Sequence, residues 1–305
     1  MISFRIFVKT KIQTTMKRTT LFLLLVAFAG CLTAYPQKKE APKRQGWDDR
    51  ELNLPINPLY GNVESVTITR YTISDKFGEI IKEEVRAKEF YKFNLKGDVV
   101  ERCEYNSDGS LEGKELYKYD SQGNMIEQAE YKSDGSLNGK IFYKYDSQSN
   151  MIEQAEYKSD GSLDGKILYK YDSQGNMIEQ AGYKSDGSLN GKILYKYDSQ
   201  SNLIELEGYS SSGSQEGKII PKYNSQGNMI EVSLYNGYLL EQKCTYKYDV
   251  QGNKAEEAEY NSNGSLKYKC LYKYDSQGNW IEKTEYKSEI MIPVIMEERV
   301  IVYRK

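Results

Sequence analysis

The sequence contains no histidine, and it has only six prolines, two tryptophans and four cysteines among 305 residues. The lack of histidine removes the commonest general base and the commonest metal ligand, which excludes Ser-His-Asp and Cys-His catalysis in their usual forms. A formal net charge of −2 excludes a strongly basic nucleic-acid-binding protein. The chain is 39% hydrophobic and has 28 tyrosines, a composition typical of a folded protein rather than a disordered one.

The first 34 residues have the features of an export signal. Lys17-Arg18 is a basic region, Leu21–Ala29 is an apolar run, and Phe28-Ala29-Gly30-Cys31 resembles a lipobox, in which Cys31 is the lipid attachment site. Ala27-Phe28-Ala29 also fits an ordinary cleavage site, which would give a secreted protein. A retained membrane helix is the least favoured interpretation, because the apolar run is shorter than the roughly 20 residues that usually cross a bilayer.

Two segments separate this signal from the repeats. Met16 directly precedes the basic region, so Met1 and Met16 both remain candidate start sites. Residues 35–59, which place four prolines among lysine, arginine and glutamine, predict a flexible tether. Residues 60–305 are predicted to form a β-hairpin repeat domain. Its first strand alternates from Val63 to Tyr71, Glu79–Glu89 fits a helix by composition but is interpreted as a strand, and residues 294–303 are expected to form a closing strand.

A 26-residue segment, Tyr119–Lys144, recurs almost unchanged at Tyr145–Lys170 and at Tyr171–Lys196. Looser copies begin at Phe93, Tyr197, Tyr223, Tyr248 and Tyr274. A fixed period of this size indicates a repeat architecture, and each copy holds two strand-like runs and two Asp/Gly turn motifs. The sequence therefore predicts an all-β fold: antiparallel β-hairpins, repeated every 26 residues from about 93 to 286, form one elongated, twisted or spiralling sheet.

The turn spacing also predicts strand register. Three-residue loops that end in a left-handed residue pair Tyr145 with Met151, Tyr143 with Glu153 and Ile141 with Ala155, which places tyrosine and aliphatic residues on one face. Laterally aligned residues of successive repeats are then 24 positions apart rather than 26, so each repeat slips by two residues and the sheet coils. The same apolar face is expected to hold three cysteines as free thiols, which are Cys103, Cys244 and Cys270.

The tyrosine rows are the candidate binding residues, either as a core or as a stacking surface for a sugar or a protein. The candidates are Tyr143, Tyr145, Tyr157, Tyr169, Tyr171 and Tyr183. The Asp-Gly turns lack the spacing of calcium loops and are interpreted as ordinary turns, so we predict no metal site and no cofactor. The acidic residues recur in every copy, whereas a catalytic pair should be unique. We therefore predict no catalytic residue and no enzymatic activity.

Two resemblances to known families follow from the repeat motifs. Tyr-x-Tyr-Asp-x-x-Gly-Asn, found at Tyr117–Asn124, Tyr169–Asn176, Tyr246–Asn253 and Tyr272–Asn279, resembles the YD repeat of bacterial Rhs-type proteins. That resemblance implies a spiralling antiparallel sheet, which in the largest such proteins forms a shell around a toxin. Tyr131–Lys140 is similar to the MORN-type repeat, which implies a single-layer hairpin sheet.

These features predict a protein of the cell envelope. It would be lipid-anchored through Cys31 on the periplasmic or surface face of an outer membrane, or otherwise secreted. The leading hypothesis is a binding or scaffold module for a glycan or an envelope protein, with membrane contact through the lipid anchor only and no nucleic-acid partner. Near-identical copies favour reach or avidity over a single unique site. The alternative is an Rhs-like toxin-associated or accessory component.

Overall fold

The computed structural model describes residues 59–288 and 290–305. The predicted signal segment 1–34, its lipid attachment site Cys31 and the tether up to residue 58 lie outside the described residues. The chain divides into two compact units. Unit 1 is Gly165–Lys243, and unit 2 combines the described residues up to Asp164 with Cys244–Lys305.

The described residues form eighteen β-strands. These are β1 (Val63–Lys76), β2 (Glu79–Phe93), β3 (Val99–Tyr105), β4 (Leu111–Tyr119), β5 (Met125–Lys132), β6 (Leu137–Tyr145), β7 (Met151–Lys158), β8 (Leu163–Tyr171) and β9 (Met177–Lys184). They continue with β10 (Leu189–Tyr197), β11 (Leu203–Ser210), β12 (Gln215–Tyr223), β13 (Met229–Asn236), β14 (Leu239–Tyr248), β15 (Lys254–Asn261), β16 (Leu266–Tyr274), β17 (Trp280–Lys287) and β18 (Ile292–Tyr303).

The Asp-x-x-Gly-Asn motif forms the predicted three-residue hairpin loop. In the loop after β6, the amide of Asp146 donates to the carbonyl of Asn150 at 2.9 Å. The Asp146 carboxylate accepts from the amides of Gln148 and Asn150, at 2.8 and 2.9 Å. The residue at the glycine position adopts a left-handed backbone even where it is serine, with φ of 63° at Ser149. The Asp and Asn therefore hold the turn while the residue between them supplies the reversal.

The sheet is closed, and the prediction of an open elongated or spiralling sheet is wrong. Strands that are neighbours in sequence pair antiparallel, and β1 pairs with both β2 and β18. The β1–β18 register runs from Val63–Tyr303 to Thr72–Ile295. Because the last strand pairs with the first, β1 has a neighbour on each side and neither β1 nor β18 is a free edge of the sheet. The prediction of an all-β array of antiparallel hairpins is confirmed.

The slip between repeats that the sequence predicts is present in unit 2. Leu116 pairs with Ala129, and Ala129 pairs with Lys140, so laterally aligned residues of these repeats are 24 positions apart. A slip of two residues for every two strands tilts the strands by roughly 35°, and a sheet whose last strand pairs with its first needs tilted, staggered strands. An open sheet would leave β1 and β18 with exposed edges, and their pairing removes both.

Side-chain contacts secure the seam between the two chain ends. Asn279 accepts a hydrogen bond from the amide of Tyr60 at 2.7 Å and donates to the Tyr60 carbonyl at 2.9 Å and to the Tyr303 hydroxyl at 2.8 Å. The Arg304 guanidinium donates to the carbonyl of Val63 at 2.6 Å. Backbone groups at both ends of the described chain are thereby satisfied next to the β1–β18 ladder.

A β-bulge after each three-residue loop changes the predicted faces. Tyr145 pairs with Met151 as predicted, but Lys144 then pairs with Glu153, which leaves Ile152 as an extra residue. Tyr143 consequently pairs with Gln154, and the predicted Tyr143–Glu153 and Ile141–Ala155 pairs are wrong. A shift of one residue moves every later side chain to the opposite face.

Two faces result, and they are named here by their exposure. The buried face carries Tyr143, Tyr145 and Met151, of which Tyr143 is 8% exposed. The exposed face carries Lys144 and Glu153 together with Phe142, which is 38% exposed, and Tyr157. The bulge therefore transfers Ala155 and Tyr157 from the predicted apolar face to the exposed one.

Two further features of the strands concern the cysteines, whose faces follow from the bulge, and the proline of β12. Cys103, Cys244 and Cys270 are buried free thiols, as predicted. Cys103, however, occupies the repeat position of Ala155, and the bulge places that position on the other face. Pro221 lies within β12 and pairs with Val232 of β13. The β11–β12 pairing ends at Ile219, whereas the equivalent β5–β6 pairing extends one residue further to Phe142, and proline has no amide to donate to a ladder.

Candidate functional site

The buried face of unit 2 contains charged side chains at its centre. Arg102 of β3 is 2% exposed and donates to the carboxylates of Glu89 at 2.9 Å and Glu115 at 3.3 Å. It also contacts the Glu104 carboxylate and donates to the Tyr91 hydroxyl at 3.0 Å. Arg102 is therefore a single cation shared by carboxylates of three strands, β2, β3 and β4.

Burial governs the protonation of this network. It raises the pKa of Tyr91 well above the ordinary value, so this phenol stays a neutral donor to Glu89. Burial also raises the pKa of Glu104, although the Arg102 charge opposes that shift. Arg102 is the cation that faces all three carboxylates, and this makes it the central residue of the network.

A second buried network lies on β15 to β18 and β1 of unit 2. The Glu297 carboxylate accepts from the Arg70 guanidinium Nε at 3.0 Å and lies 3.9 Å from the Lys283 ammonium. Burial acts to raise the pKa of Glu297, but Lys283 and Arg70 outweigh it and hold that pKa at about 2. Nearby, Glu257 accepts from Lys254 at 2.9 Å and from the Tyr272 hydroxyl at 3.0 Å.

The repeat alignment shows where charge enters the buried face. The position of Arg102 is occupied in successive copies by Gln128, Gln154, Gln180, Leu206, Val232, Glu257 and Lys283. The near-identical copies thus have a neutral amide there, and two copies in unit 1 have an aliphatic side chain. In the copies with glutamine, the side-chain amide oxygen accepts a hydrogen bond from a buried tyrosine. The Tyr143 hydroxyl donates to Gln128 at 2.9 Å, and the Tyr195 hydroxyl donates to Gln180 at 2.9 Å.

The buried networks favour a structural role. Each charge has an opposite charge or a hydroxyl within contact distance, which is the condition for tolerating buried ions. Among residues 59–288 and 290–305, no group of three or more His, Cys, Asp or Glu side chains is placed to hold a metal ion. In the same ranges, no helix is long and apolar enough to cross a membrane.

The structure divides the six candidate tyrosines between the two faces. Tyr143, Tyr145, Tyr169 and Tyr171 lie on the buried face, where their partners include Gln154, Met151, Gln180 and Met177 across the hairpins. The Tyr145 hydroxyl donates to the carbonyl of Met125 at 2.8 Å, and Tyr197 repeats this bond to Met177 at 2.8 Å. These hydroxyls hold neighbouring repeats together, so the buried-face tyrosines belong to the core.

Tyr157 and Tyr183 lie instead on the exposed face, and they belong to a column that recurs in all eight copies. The members are Tyr105, Tyr131, Tyr157, Tyr183, Tyr209, Tyr235, Tyr260 and Tyr286, and all are half-exposed. We call them the exposed tyrosine column. The position keeps tyrosine in the divergent copies as well as in the near-identical ones, whereas the buried position of Arg102 changes from charged to polar to aliphatic.

Paired charges flank the exposed tyrosine column. Glu127 accepts from Lys118 and from Lys140, both at 2.9 Å, and these lysines lower the pKa of Glu127 although burial opposes them. Equivalent ion pairs are Lys144–Glu153, Lys170–Glu179, Lys196–Glu205, Lys218–Glu205, Lys222–Glu231, Lys243–Glu231, Lys247–Glu256, Lys269–Glu256 and Lys273–Glu282. We call these pairs the Lys–Glu rungs.

Aromatic contacts connect the rungs to the column. Phe142 meets Tyr157 edge to face at 5.6 Å and 78°, and the Lys140 ammonium lies 6.0 Å from the Phe142 ring. In unit 1, the Lys192 ammonium lies 5.8 Å from the Tyr209 ring. The exposed tyrosine column was not predicted, because the β-bulge decides which face each tyrosine occupies. The signal available was the invariance of tyrosine at this one position through all eight copies.

The comparisons with known proteins do not identify a family. No family model and no curated protein match the chain. It is similar to a solved porin-like protein from Bacteroides uniformis, at 8% identity and a TM-score of 0.43, over 80% of this chain and 98% of that one. It is also similar to a TcdB2-TccC3-Cdc42 structure, at 12% identity and a TM-score of 0.35, over 78% of this chain and 16% of that one. A domain described as an outer membrane lipoprotein-sorting protein from Vibrio parahaemolyticus matches at 7% identity and a TM-score of 0.21, over 78% and 85% of the two chains. Every one of these TM-scores lies below 0.5, so none of these structures bears on the function. The YD-type and MORN-type similarities therefore remain resemblances of sequence motifs.

Proposed function

We propose that this protein is a binding module of the cell envelope that presents the exposed tyrosine column and the Lys–Glu rungs to a partner. The observation that supports this most is the uniform exposed face. Eight half-exposed tyrosines repeat without exception, while the buried position of Arg102 changes from copy to copy. A partly exposed aromatic ring with an apolar body and a polar hydroxyl is typical of recognition surfaces.

The buried face is not the proposed binding surface. Its tyrosines donate to backbone carbonyls or to buried amides and carboxylates, as Tyr145 does to Met125 and Tyr272 does to Glu257. A ligand would have to replace these bonds and uncover buried charges, which costs several kcal/mol for each ion. The candidate residues that we retain are therefore Tyr157 and Tyr183, together with the rest of the exposed tyrosine column.

The charged rungs also bear on how the protein meets a membrane. A lipid-facing strand surface is apolar, and a lysine there costs about 2–4 kcal/mol at mid-depth. The Lys144 side chain is 67% exposed on the same face as Glu153. We therefore propose that membrane contact is made through a lipid on Cys31 and that the repeat domain faces water. The motif around Cys31 supports this anchor, and an Rhs-like accessory role has no separate support from the described residues.

Retention of envelope material by the immobilised mature protein tests this function. The double variant Tyr131→Ser and Tyr157→Ser removes two rings from the exposed tyrosine column in unit 2. The matched control is Leu95→Ser, which changes a residue that is 82% exposed in a loop. We expect the wild type and the control to retain a glycan or protein from solubilised envelopes and the double variant to lose most of it. Equal retention by all three proteins, with circular dichroism showing that all are folded, would refute the proposal.

A further inference from the structure

We infer that the exposed tyrosine column binds an uncharged polysaccharide, with sugar rings at regular intervals along the polymer stacked on successive tyrosines. This inference rests on the proposed function and specifies the chemical class of its partner. Three properties of the exposed face lead to it: the regular spacing of its rings, the cancellation of its charges and the aromatic pairs within it.

The spacing favours a polymer. In unit 2, Tyr105, Tyr131 and Tyr157 lie on β3, β5 and β7, so each ring is two strands from the next. That places equivalent rings about 10 Å apart, or twice the strand spacing. In unit 1, Tyr183, Tyr209 and Tyr235 repeat the arrangement on β9, β11 and β13. A protein surface differs from point to point, whereas a polysaccharide presents the same group repeatedly and gains avidity from each repeat.

The charges favour an uncharged ligand. Glu127 lies between Lys118 and Lys140, at 2.9 Å from each, and in unit 1 Glu205 lies between Lys196 at 2.6 Å and Lys218 at 3.2 Å. A polyanion would meet a carboxylate at every rung, and a polycation would meet the lysines. Sugar hydroxyls can both donate to a carboxylate and accept from an ammonium, so they suit both members of a rung.

The aromatic groups provide the stacking surface. Tyr157 is half-exposed, and its ring packs edge to face with the Phe142 ring at a centroid distance of 5.6 Å, which restricts the orientation of the tyrosine. Tyrosine has few rotatable bonds and so loses little entropy on binding. Planar rings with nearby donors and acceptors combine apolar contact with hydrogen bonding, and sugar rings need both.

Affinity electrophoresis in native gels tests the inference. The gels contain dextran, laminarin or hydroxyethyl cellulose as uncharged polymers, and heparin as the charged comparison. We expect at least one uncharged polymer to retard the wild type and heparin to have no effect. One stacked ring contributes about 1 kcal/mol, so Tyr131→Ser with Tyr157→Ser should weaken retardation roughly 10- to 100-fold. Tyr131→Phe with Tyr157→Phe keeps both rings and should retain most of the binding.

The outcomes separate this inference from the proposed function. If no uncharged polymer retards the protein while envelope retention still depends on Tyr131 and Tyr157, the polysaccharide inference is wrong and the binding module stands. If both assays are insensitive to the serine variants, both are wrong. Retardation that survives the serine variants would also overturn the inference, because the polymer would then bind elsewhere. Thermal melts of all variants identify any loss of binding that comes from unfolding.

Discussion

Replacement of Arg102 by glutamine should destabilise the protein strongly. Arg102 is the shared cation of Glu89, Glu104 and Glu115, and its guanidinium is almost fully buried. Removing one partner of a buried ionic network leaves uncompensated charge and costs about 3–5 kcal/mol of unfolding free energy. Glutamine is the matched choice because the near-identical copies carry it at this position, as Gln128 shows.

The unfolding free energy lost in Arg102→Gln should depend on pH in a defined direction. Burial already raises the pKa of Glu104, and Arg102 is the charge that opposes this shift. Without Arg102 the pKa of Glu104 should rise further above its unfolded value, so the variant loses stability as pH rises through the new value and regains it as pH falls. Urea unfolding of the wild type and of Arg102→Gln at pH 5 and pH 8 measures this. The deficit should be larger at pH 8.

A compensated variant provides the control. The residues at the positions of Glu89 and Glu115 in the near-identical copies are isoleucines such as Ile141. Adding Glu89→Ile and Glu115→Ile to Arg102→Gln reproduces that neutral arrangement and should recover most of the lost stability. A cost below about 1 kcal/mol for Arg102→Gln alone, or no recovery in the triple variant, would refute the account of the buried network.

Three further predictions address the turns, the second network and the core tyrosines. Ser149→Gly should stabilise the protein by up to about 0.4–1 kcal/mol because the left-handed backbone at this residue penalises serine; a thermal melt that shows a loss would mean that the side-chain bonds of Ser149 to Asn124 and Gln122, both at 3.3 Å, matter more. Glu297→Gln should remove a pH-dependent contribution: the pKa of Glu297 falls from 4.5 to about 2 on folding, so the wild type gains about 3 kcal/mol above pH 4.5 and loses it as pH falls towards 2. Acid titration of the variant should lack this decline, and an unchanged acid profile would contradict the assignment. Tyr145→Phe should cost about 1 kcal/mol through the lost bond to Met125, and Tyr157→Phe on the exposed face should cost less; equal costs in chemical denaturation would argue against the two-face assignment.

The sequence predicts the local features of this fold well because they depend on contiguous residues. The Asp146 to Asn150 turn needs only its own side chains and a left-handed residue, and the period of 26 positions places it in each repeat. The slip of two residues between repeats follows from turn spacing alone. Strand pairing near each turn, such as Tyr145 with Met151, is likewise set by the loop.

The bulge at Ile152 and the closure of the sheet depend on distant contacts. Placing Ile152 outside the regular ladder brings Lys144 opposite Glu153, and the hairpin gains an ion pair at 2.7 Å. No residue type in the strand identifies the bulge, so the predicted face of Tyr157 was wrong. Closure requires β1 and β18, which lie at opposite ends of the repeat domain, to pair over the register from Val63 to Thr72.

The candidate site was only partly accessible from sequence. The tyrosines were identified as the residues of interest, but the core tyrosines and the exposed tyrosine column could not be separated without the bulge. The buried charges of Arg102 and Glu297 had no sequence signal, because a lone arginine in a strand usually lies in solvent. Their partners come from neighbouring strands whose register must be known first.

The closed sheet is tested most directly by a cross-link between its first and last strands. Thr67 of β1 pairs with Val300 of β18, and Val300 is 63% exposed. Paired residues of antiparallel strands have Cα atoms about 4.5–5.5 Å apart, within the range of a disulfide. In an open array of eighteen strands the same positions would be roughly 80 Å apart.

The measurement is the non-reducing peptide mass spectrum of the Thr67→Cys and Val300→Cys double variant. The three described native cysteines are buried, and each single variant serves as a control for mispairing with them. We expect a disulfide-linked peptide that joins positions 67 and 300 within one monomer, and a stabilisation of up to about 5 kcal/mol because the bond closes a very long loop. If the monomer forms no such peptide under oxidising conditions, or if the bond joins two chains, β1 and β18 are not neighbours and the sheet does not close through them.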